Sequence, residues 1–387
     1  MKKIIRICAT ILVVSTLCSL LFIGCSKPNP DPTEPSVPAT QPTVPATHPT
    51  EPAATQPAPT VPAPTEPAET LPPVTAINPL TGEPLSAASN NRPFAVSLNN
   101  VKAAQPQLGV SHADVLCEVM TEGGTTRCVG IFNDLNDIAT LGSIRSARPY
   151  MLSLAQSFDA IFVHAGASAE ARKAFEETGW DHLDGVYGKG ASKYYYRDQD
   201  RLNAGYAKEH TMCITPENVL AYAQKLNLTM ARPNGVEYGW QFSNEVSISG
   251  SAAANIRIRF SIGSSTSDRV KATIMAYDAE TGLYYATQHG KAWTDSTTKQ
   301  QIAFRNVLVL RCDTQKMYPD QSLLKVDMIG SGTGYYACGG QMIPIRWARA
   351  TATDPFTFTL EDGTPLTLAI GKSYIGFVSN SSVIDFS

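Results

Sequence analysis

A proline-rich stretch from residue 26 to residue 73 limits most strongly what this chain can fold into. It holds 16 of the chain's 27 prolines, interleaved with Thr, Ala, Glu and Gln. Proline fixes φ and has no amide donor, and the stretch lacks apolar periodicity, so these residues cannot build a core. Extended as polyproline II, they would reach roughly 150 Å. We therefore predict a disordered linker over residues 25–73. It serves either as a spacer through cell-wall material, with glycosylated threonines, or as a passive tether.

The first 24 residues have the composition of an export signal. Three basic residues precede an apolar run from Ile7 to Ile23, which is typical of a secretory signal peptide. Phe22–Cys25 resembles the lipobox of bacterial lipoproteins, with a small residue before the cysteine. We therefore predict a signal peptide at residues 1–24 and a lipid on Cys25, which would anchor the protein to the extracellular face of the cell membrane. The alternative is an uncleaved membrane anchor, because the apolar run is roughly long enough to span a bilayer.

The remaining residues, 74–387, carry 27 basic and 29 acidic side chains. A nearly neutral surface argues against nucleic acid as a partner, because nucleic-acid binding needs a basic face. No cysteine pair has zinc-ligand spacing, so we predict no metal site, and no motif indicates a cofactor. The length suffices for two ordinary domains.

The pattern of apolar residues changes near residue 233. Residues 74–232 mix predicted strands with helices that begin at Pro149, near Ser168 and at Pro216, which indicates an α+β or α/β domain. Residues 233–387 contain short alternating runs separated by turn signals, which indicates a mainly β domain. The predicted seam between the two is the segment Ala231–Trp240.

Two cysteines lie on neighbouring predicted strands. Cys117 and Cys128 flank a predicted four-residue hairpin loop, which would place them directly opposite each other. A cross-strand disulfide is one interpretation in an oxidising compartment, and two buried thiols are the other.

The segment before Pro149 carries a concentration of positive charge. Arg145, Ser146 and Arg148 would lie at the N-terminus of the helix that begins at Pro149, where free amide groups favour negative charge. Arg127 could supply a third guanidinium. We therefore predict an anion-binding or ligand-binding site here. The alternative is that the arginines only form structural ion pairs with Glu118 or Glu122.

The segment Asp159–Ser168 is a predicted strand, tight turn and helix start. His164 would lie at the carboxyl end of its strand, where α/β sheets gather ligands, and Ser168 would cap the helix. Both could face one cleft with the arginines. Alternatively, Ser168 only caps the helix and His164 is a satisfied core histidine.

Another polar segment follows Trp180. Asp181, His182 and Asp184 suggest either paired carboxylates beside an aromatic platform for sugar, or a polar surface turn. We favour the turn.

These segments resemble the YerB-like family of bacterial lipoproteins, a two-part domain of unknown function common in Gram-positive bacteria. The matching stretches are Asn78–Gly82, Arg92–Asn100, Ala113–Arg127, Gly142–Tyr150, Ile161–Ser168 and, more faintly, the segments that begin at Asp295, Asn306 and Gly339. The resemblance implies an extracellular lipoprotein with a mixed N-terminal and a β-rich C-terminal part, and it assigns no chemistry. What the resemblance carries over is position only. The polar residues that lie in the family motifs are Glu118, Glu122, Thr126, Arg127, Arg145, Ser146, Arg148, His164 and Ser168. Cys117 and Cys128 replace residues that are usually aromatic or apolar in the family, which favours the disulfide.

Three functions fit these features. The leading hypothesis is a non-catalytic module that binds an anionic wall component or a wall-synthesis protein through the arginine-rich cleft. The second is a cell-wall glycan hydrolase that uses Glu118 or Glu122 as an acid, which requires two carboxyl groups at a defined separation. The third is a solute-binding lipoprotein with its ligand between the two domains, which a deep cleft at the seam would favour.

Overall fold

The computed structural model describes residues 76–85, 87, 90–232 and 237–387. The predictions for the signal peptide, Cys25 and the proline-rich linker lie outside these residues. The described part before the seam contains strands β1 (Ala76–Ile77), β2 (Pro84–Leu85), β3 (Phe94–Asn99), β4 (Val115–Met120), β5 (Thr126–Phe132), β6 (Leu141–Gly142), β7 (Ile161–His164), β8 (His182–Asp184), β9 (Tyr195–Arg197) and β10 (Met212–Ile214). Its helices are α1 (Pro149–Ser157), α2 (Ala169–Thr178), α3 (Gln199–Asn203) and α4 (Pro216–Lys225).

The part after the seam is built from strands in its described residues. They are β11 (Gln241–Ser243), β12 (Ser251–Ala252), β13 (Asn255–Arg259), β14 (Ala272–Asp278), β15 (Leu283–Gln288), β16 (Lys291–Ala292), β17 (Ala303–Phe304), β18 (Asn306–Cys312), β19 (Thr314–Lys316), β20 (Leu324–Val326), β21 (Gly330–Cys338), β22 (Gln341–Arg349), β23 (Thr357–Thr359), β24 (Thr367–Ala369), β25 (Ser373–Ser379) and β26 (Ile384–Phe386). A mixed first part followed by a mainly β second part confirms the predicted fold class.

Local sequence explains where the longer helices begin. Proline occupies the first helical position of α1 and α4, where its missing amide costs nothing. The side chains of Ser168 and Thr215 cap α2 and α4 by accepting hydrogen bonds from backbone amides three residues on. Gly179 ends α2 in the left-handed conformation, with φ of 61°. The predicted helix starts are therefore confirmed.

One large sheet organises the described residues. Its strand order is β12-β22-β21-β18-β25-β4-β5-β3-β7-β8, and β23 pairs with β22 to give 11 strands. Every residue of the central strands β4, β5 and β25 is buried. Strands covered on both faces need nearly continuous apolar runs, which the sequence supplies here.

The large sheet runs through both predicted domains. Strand β25 pairs in parallel with β4, with Gly376 opposite Glu118. At the seam, the hydroxyl of Tyr238 donates to the carbonyl of Phe158 at 3.0 Å. The two parts thus share one core and one sheet, and the boundary at residues 232 and 233 stays a prediction.

A second sheet covers one side of the central strands. Its order is β16-β15-β14-β13-β26, and β17 pairs with β15 to give six strands. The turn Asp278–Gly282 joins β14 to β15, and Asp278 Oδ1 accepts from two backbone amides within it. This hairpin brings Thr273 and Gln288 towards Glu118 of the large sheet. Within the described ranges, no helix combines the length and the apolar character needed to span a membrane.

Candidate functional site

Three arginines meet where β5 and α1 begin. Arg127 is the second residue of β5, and Arg145 and Arg148 lie in the segment between β6 and α1. The segment runs beside the end of β3, because the amide of Arg145 donates to the carbonyl of Ser97 at 2.9 Å. Arg148 is the N-cap residue of α1. The fold therefore gathers the predicted arginines at one end of the large sheet.

Each arginine makes a different set of contacts. Arg148 donates through Nε and Nη2 to the two carboxylate oxygens of Glu122, at 2.5 and 3.0 Å. Arg127 donates to the carbonyl of Ser146 at 2.5 Å, and Arg145 donates to the carbonyl of Glu209 at 3.2 Å. Only Arg148 thus has a bonded carboxylate, in the bidentate geometry that guanidinium groups favour. Of the three arginines, only Arg148 forms the predicted ion pair with Glu122.

Arg127 is a buried cation without a bonded counter-ion among the described residues. It is only 7% exposed, and the bonded partner of Glu122 is Arg148. Burial, together with the positive charges of Arg148 and Arg145, lowers the pKa of Arg127 to about 9. A desolvated guanidinium beside two further guanidiniums is unfavourable, and the single carboxylate of Glu122 offsets only one of the three positive charges. The cluster therefore has the electrostatic character of an anion site.

Arg145 has an unsatisfied hydrogen-bond donor. Its Nε is buried and has no hydrogen-bond partner in the described structure. Burial lowers the pKa of Arg145, and the neighbouring Arg148 and Arg197 lower it further against the opposing effect of Glu209. An oxyanion between Arg127 and Arg145 would supply acceptors to both groups.

The prediction that His164 faces an open cleft is wrong, and the half-buried Ser168 caps a helix. His164 is fully buried, with Nδ1 at 2.9 Å from the carbonyl of Gly166 and Nε2 at 2.9 Å from His182. The hydroxyl of Ser168 accepts from the amide of Ala171 and caps α2. Both residues therefore have the structural roles that the sequence left open. Ser146 stays at the cluster, where its hydroxyl donates to the carbonyl of Ala165.

Glu118 lies on the opposite face of the sheet from Arg127. In the antiparallel register Val119 faces Arg127, and successive side chains of a strand alternate between faces. Glu118 has no exposed surface. Its carboxylate accepts hydrogen bonds from Asn100, Thr126, Thr273, Gln288 and Tyr374, and Lys271 Nζ lies 3.1 Å from it. Glu118 therefore joins the two sheets and is closed to a substrate.

A cleft of about 520 Å³ opens beside this network. Residues of both predicted domains line it, including the turn Gly123–Thr126 and the hairpin residues Lys271, Gln288 and His289. Its charged lining residues are the cations Lys102, Arg257, Arg269 and Lys271 and the carboxylate Asp268. This cleft between the two parts thus lies at the β14–β15 hairpin. In the described part of the predicted seam, the aromatic rings of Tyr238 and Trp240 pack against Phe158.

The cysteines do not form the predicted disulfide. Cys117 pairs with Val129 and Cys128 pairs with Glu118, so the register is offset by one residue from the predicted one. Because side chains alternate along a strand, the two thiols point to opposite faces of the sheet. Both cysteines are free and buried, and burial raises both pKa values.

Sequence reasoning missed the partners of Glu118. Lys271, Thr273, Gln288 and Tyr374 lie more than 150 residues from Glu118 along the chain, and none belongs to a recognisable motif. One feature of the sequence could have revealed two of them. Thr273 and Gln288 occupy inward-facing positions on strands whose other inward-facing residues are apolar. Alternation alone could have marked Thr273 and Gln288 as inward-facing.

Comparisons with known proteins agree with this architecture. Two family profiles match the chain, and both describe DUF3048, a protein of unknown function. The profile of its N-terminal domain matches residues 80–229, and the profile of its C-terminal domain matches residues 261–375. The chain is 25% identical over 315 residues to "Putative lipoprotein YerB" of Bacillus subtilis (strain 168), covering 80% of this chain and 88% of the relative. The crystal structure of the YerB protein from Bacillus subtilis matches with a TM-score of 0.68 at 24% identity, covering 80% of this chain and 100% of that chain. Because the two profiles together cover more than half of the residues, this chain belongs to the DUF3048 family, the YerB-like proteins of unknown function.

Proposed function

We propose that this protein is a lipid-anchored lipoprotein of the cell envelope that binds an anionic ligand at Arg127, Arg145 and Arg148. The observation that carries the proposal is the buried guanidinium of Arg127, which lies beside two further arginines and has no bonded carboxylate among the described residues. A phosphate or carboxylate group would complete this arrangement with charge-assisted hydrogen bonds. An anionic wall polymer or an acidic envelope protein offers such groups.

The anchor is part of the same proposal. Cys25 lies outside the described residues, and its support is the lipobox-like Phe22–Cys25 together with a relative that is named a lipoprotein. A Cys25→Ser variant should move the protein from the membrane fraction to the soluble fraction. Mass spectrometry of the wild-type N-terminal peptide should find an acyl group on Cys25. An unmodified Cys25 in membrane-bound protein would contradict the anchor.

Binding to isolated cell walls tests the ligand. Full-length protein should co-sediment with walls, and mild extraction of their phosphate-bearing polymers should reduce the bound fraction. An Arg145→Gln variant should bind about tenfold or more weakly, because it loses a charge-assisted contact. Arg346→Gln is the matched control, since it removes one exposed arginine from β22, on the opposite half of the sheet.

The outcomes separate the proposal from general charge attraction. Equal loss of binding in Arg145→Gln and Arg346→Gln would indicate a diffuse electrostatic effect and would contradict the site. Unchanged binding in Arg145→Gln would also contradict it. Salt should weaken wild-type binding, because counter-ions compete for exposed charges.

The hydrolase hypothesis receives little support from the two glutamates. Glu118 has no exposed surface and is bonded on both carboxylate oxygens, and Glu122 is held by Arg148. An acid that protonates a leaving group must be within reach of it. Glu118 does not meet that condition, and Glu122 is a poor acid because its bonds to Arg148 outweigh the effect of burial and lower its pKa.

A second candidate function is solute binding between the two parts of the chain. The observation that favours it is the cleft of about 520 Å³ that residues of both parts line. Its excess of cations over carboxylates suits an anionic solute. Lys102→Gln, which lies in the cleft and not in the arginine cluster, should weaken binding of a small polyanion such as pyrophosphate if this function is correct. Unchanged binding would remove this candidate.

A further inference from the structure

A separate cavity of about 340 Å³ lies between α2, β8 and α4. It shares no lining residue with the arginine cluster. The lining residues that matter for its chemistry are Arg172, Glu176, His182, Asp184, Tyr187 and Tyr222. Part of this lining is the segment after Trp180, for which the sequence favoured a surface turn.

The charges around this cavity balance. Two cations, Arg172 and Lys189, and two carboxylates, Glu176 and Asp184, line it. Such a set has no excess charge to attract an ion, but it offers many hydrogen-bond donors and acceptors. The cavity therefore suits an uncharged polar ligand, in contrast to the arginine cluster.

A chain of hydrogen bonds determines what His182 offers to the cavity. The carbonyl of Gly166 can only accept, so His164 Nδ1 donates to it and, in the neutral ring, His164 Nε2 accepts from His182 Nδ1. The second nitrogen of His182 then carries a lone pair and faces away from His164. Burial lowers the pKa of both histidines, of His164 to about 4, which keeps both rings neutral near pH 7. His182 Nε2 is thus a hydrogen-bond acceptor at the cavity wall.

Tyr222 adds a buried hydroxyl group. Its side chain has no exposed surface, and the hydroxyl has no hydrogen-bond partner in the described structure. Such a group is unfavourable unless a partner reaches it. The chain passes close to it at Gly188, where a Cβ would lie only 2.2 Å from the hydroxyl oxygen. Glycine thus allows this turn to pack directly against the hydroxyl, where a side chain would collide with it.

Tyr187 provides an aromatic surface at the cavity rim. Tyr187 is 65% exposed, more than any other large apolar or aromatic residue that is exposed in the described structure. The guanidinium of Arg172 lies 5.4 Å from the ring centroid and supports the ring from one side. A ring held in this way can present its free face to the C–H groups of a ligand.

We propose that this cavity binds one ring of an uncharged saccharide, which packs on Tyr187 and donates a hydroxyl hydrogen bond to His182 Nε2. The balanced charges, the acceptor nitrogen and the aromatic rim together match a ligand with apolar C–H faces and hydroxyl edges. The inference goes beyond the proposed anion site and does not depend on it.

Saccharide titration of the full-length protein tests the proposal. The protein should be held in a zwitterionic detergent without a sugar head group, because a maltoside would compete for the cavity. Tetra-N-acetylchitotetraose and maltotetraose, both uncharged, are the probes, observed by saturation-transfer NMR and isothermal titration calorimetry. At least one of them should bind with a dissociation constant of about 1 mM or lower.

Variants at the rim and the wall assign the binding to this cavity. Tyr187→Ala should weaken binding about tenfold, and Tyr187→Trp should retain it because the platform is kept. Tyr187 is mostly exposed, so its replacement leaves the core intact. His182→Phe keeps an aromatic ring and removes the acceptor, and it should also weaken binding.

Defined results would overturn the proposal. Absence of binding by both saccharides, equal binding by wild type and Tyr187→Ala, or preference for a free aromatic compound such as indole would each contradict it. Arg145→Gln should bind the saccharide like the wild type. That variant separates failure of this inference from failure of the anion site.

Discussion

Replacing Glu118 by glutamine should strongly destabilise the protein. Glu118 is a fully buried carboxylate at the junction of the two sheets. Lys271, whose side chain is 5% exposed, lies 3.1 Å from it, and five further polar groups donate to it. Glutamine keeps the shape of the side chain but removes the charge, so the Lys271 ammonium would remain buried without a counter-ion.

The expected magnitude follows from that unpaired ammonium. Breaking a buried ion pair by removing one partner costs about 3–5 kcal/mol of unfolding free energy. The amide group adds to the cost, because it places a second donor against groups that already donate to Glu118. We therefore expect Glu118→Gln to lose about 4 kcal/mol, and Glu118→Ala to lose more because it also leaves a cavity.

Urea denaturation of the full-length protein measures this loss. Lys271→Met should also destabilise, and the double variant Glu118→Gln, Lys271→Met should be more stable than the sum of the single effects predicts, by about 2 kcal/mol. Glu280→Gln in the exposed β14–β15 turn is the matched control and should change stability by less than about 0.5 kcal/mol. A loss below about 1 kcal/mol for Glu118→Gln would refute the structural role of the contact between Glu118 and Lys271.

Three further predictions concern the sites. Arg127→Met should leave the unfolding free energy unchanged or raise it by about 1 kcal/mol, because it removes a buried cation that lacks a bonded carboxylate. The same variant should bind phosphate more weakly in a calorimetric titration. Lowering the pH should destabilise the wild type relative to His164→Gln by about 3 kcal/mol. The reason is that His164 binds a proton near pH 6.5 in the unfolded chain but only near pH 4 in the folded protein. That difference should develop between pH 6.5 and pH 4 in denaturant curves, and a pH-independent difference would contradict it. Gly188→Ala should lower the stability by about 2 kcal/mol, because its Cβ would lie 2.2 Å from the Tyr222 hydroxyl, and unchanged thermal unfolding would contradict this close approach.

The sequence predicted the elements of the fold better than their assembly. Proline at position 149, a serine cap at position 168 and the alternating runs after residue 240 are local signals, and the structure has the corresponding helices and strands. The pairing of β25 with β4 depends on contacts between residues more than 250 positions apart. No local pattern encodes such a contact, so the sequence could not predict that one sheet runs through both parts of the chain.

The candidate sites show the same division. The arginines were predicted together because Arg145 and Arg148 are close in sequence and Arg127 lies in a neighbouring motif. The error at Cys117 and Cys128 arose from a register shift of one residue, which reverses the face of every side chain. The partners of Glu118 and the cavity beside Tyr187 are assembled from distant segments, and only the fold brings them together.

A crystal structure of the protein soaked with tungstate would test the central claim most directly. Tungstate is a tetrahedral oxyanion that resembles phosphate, and its anomalous signal identifies it without ambiguity. We expect an anomalous peak between the guanidinium groups of Arg127 and Arg145, within hydrogen-bond distance of both, with Glu122 still bonded to Arg148. Crystals that take up tungstate elsewhere but leave these two arginines without an anion would contradict the proposed anion site.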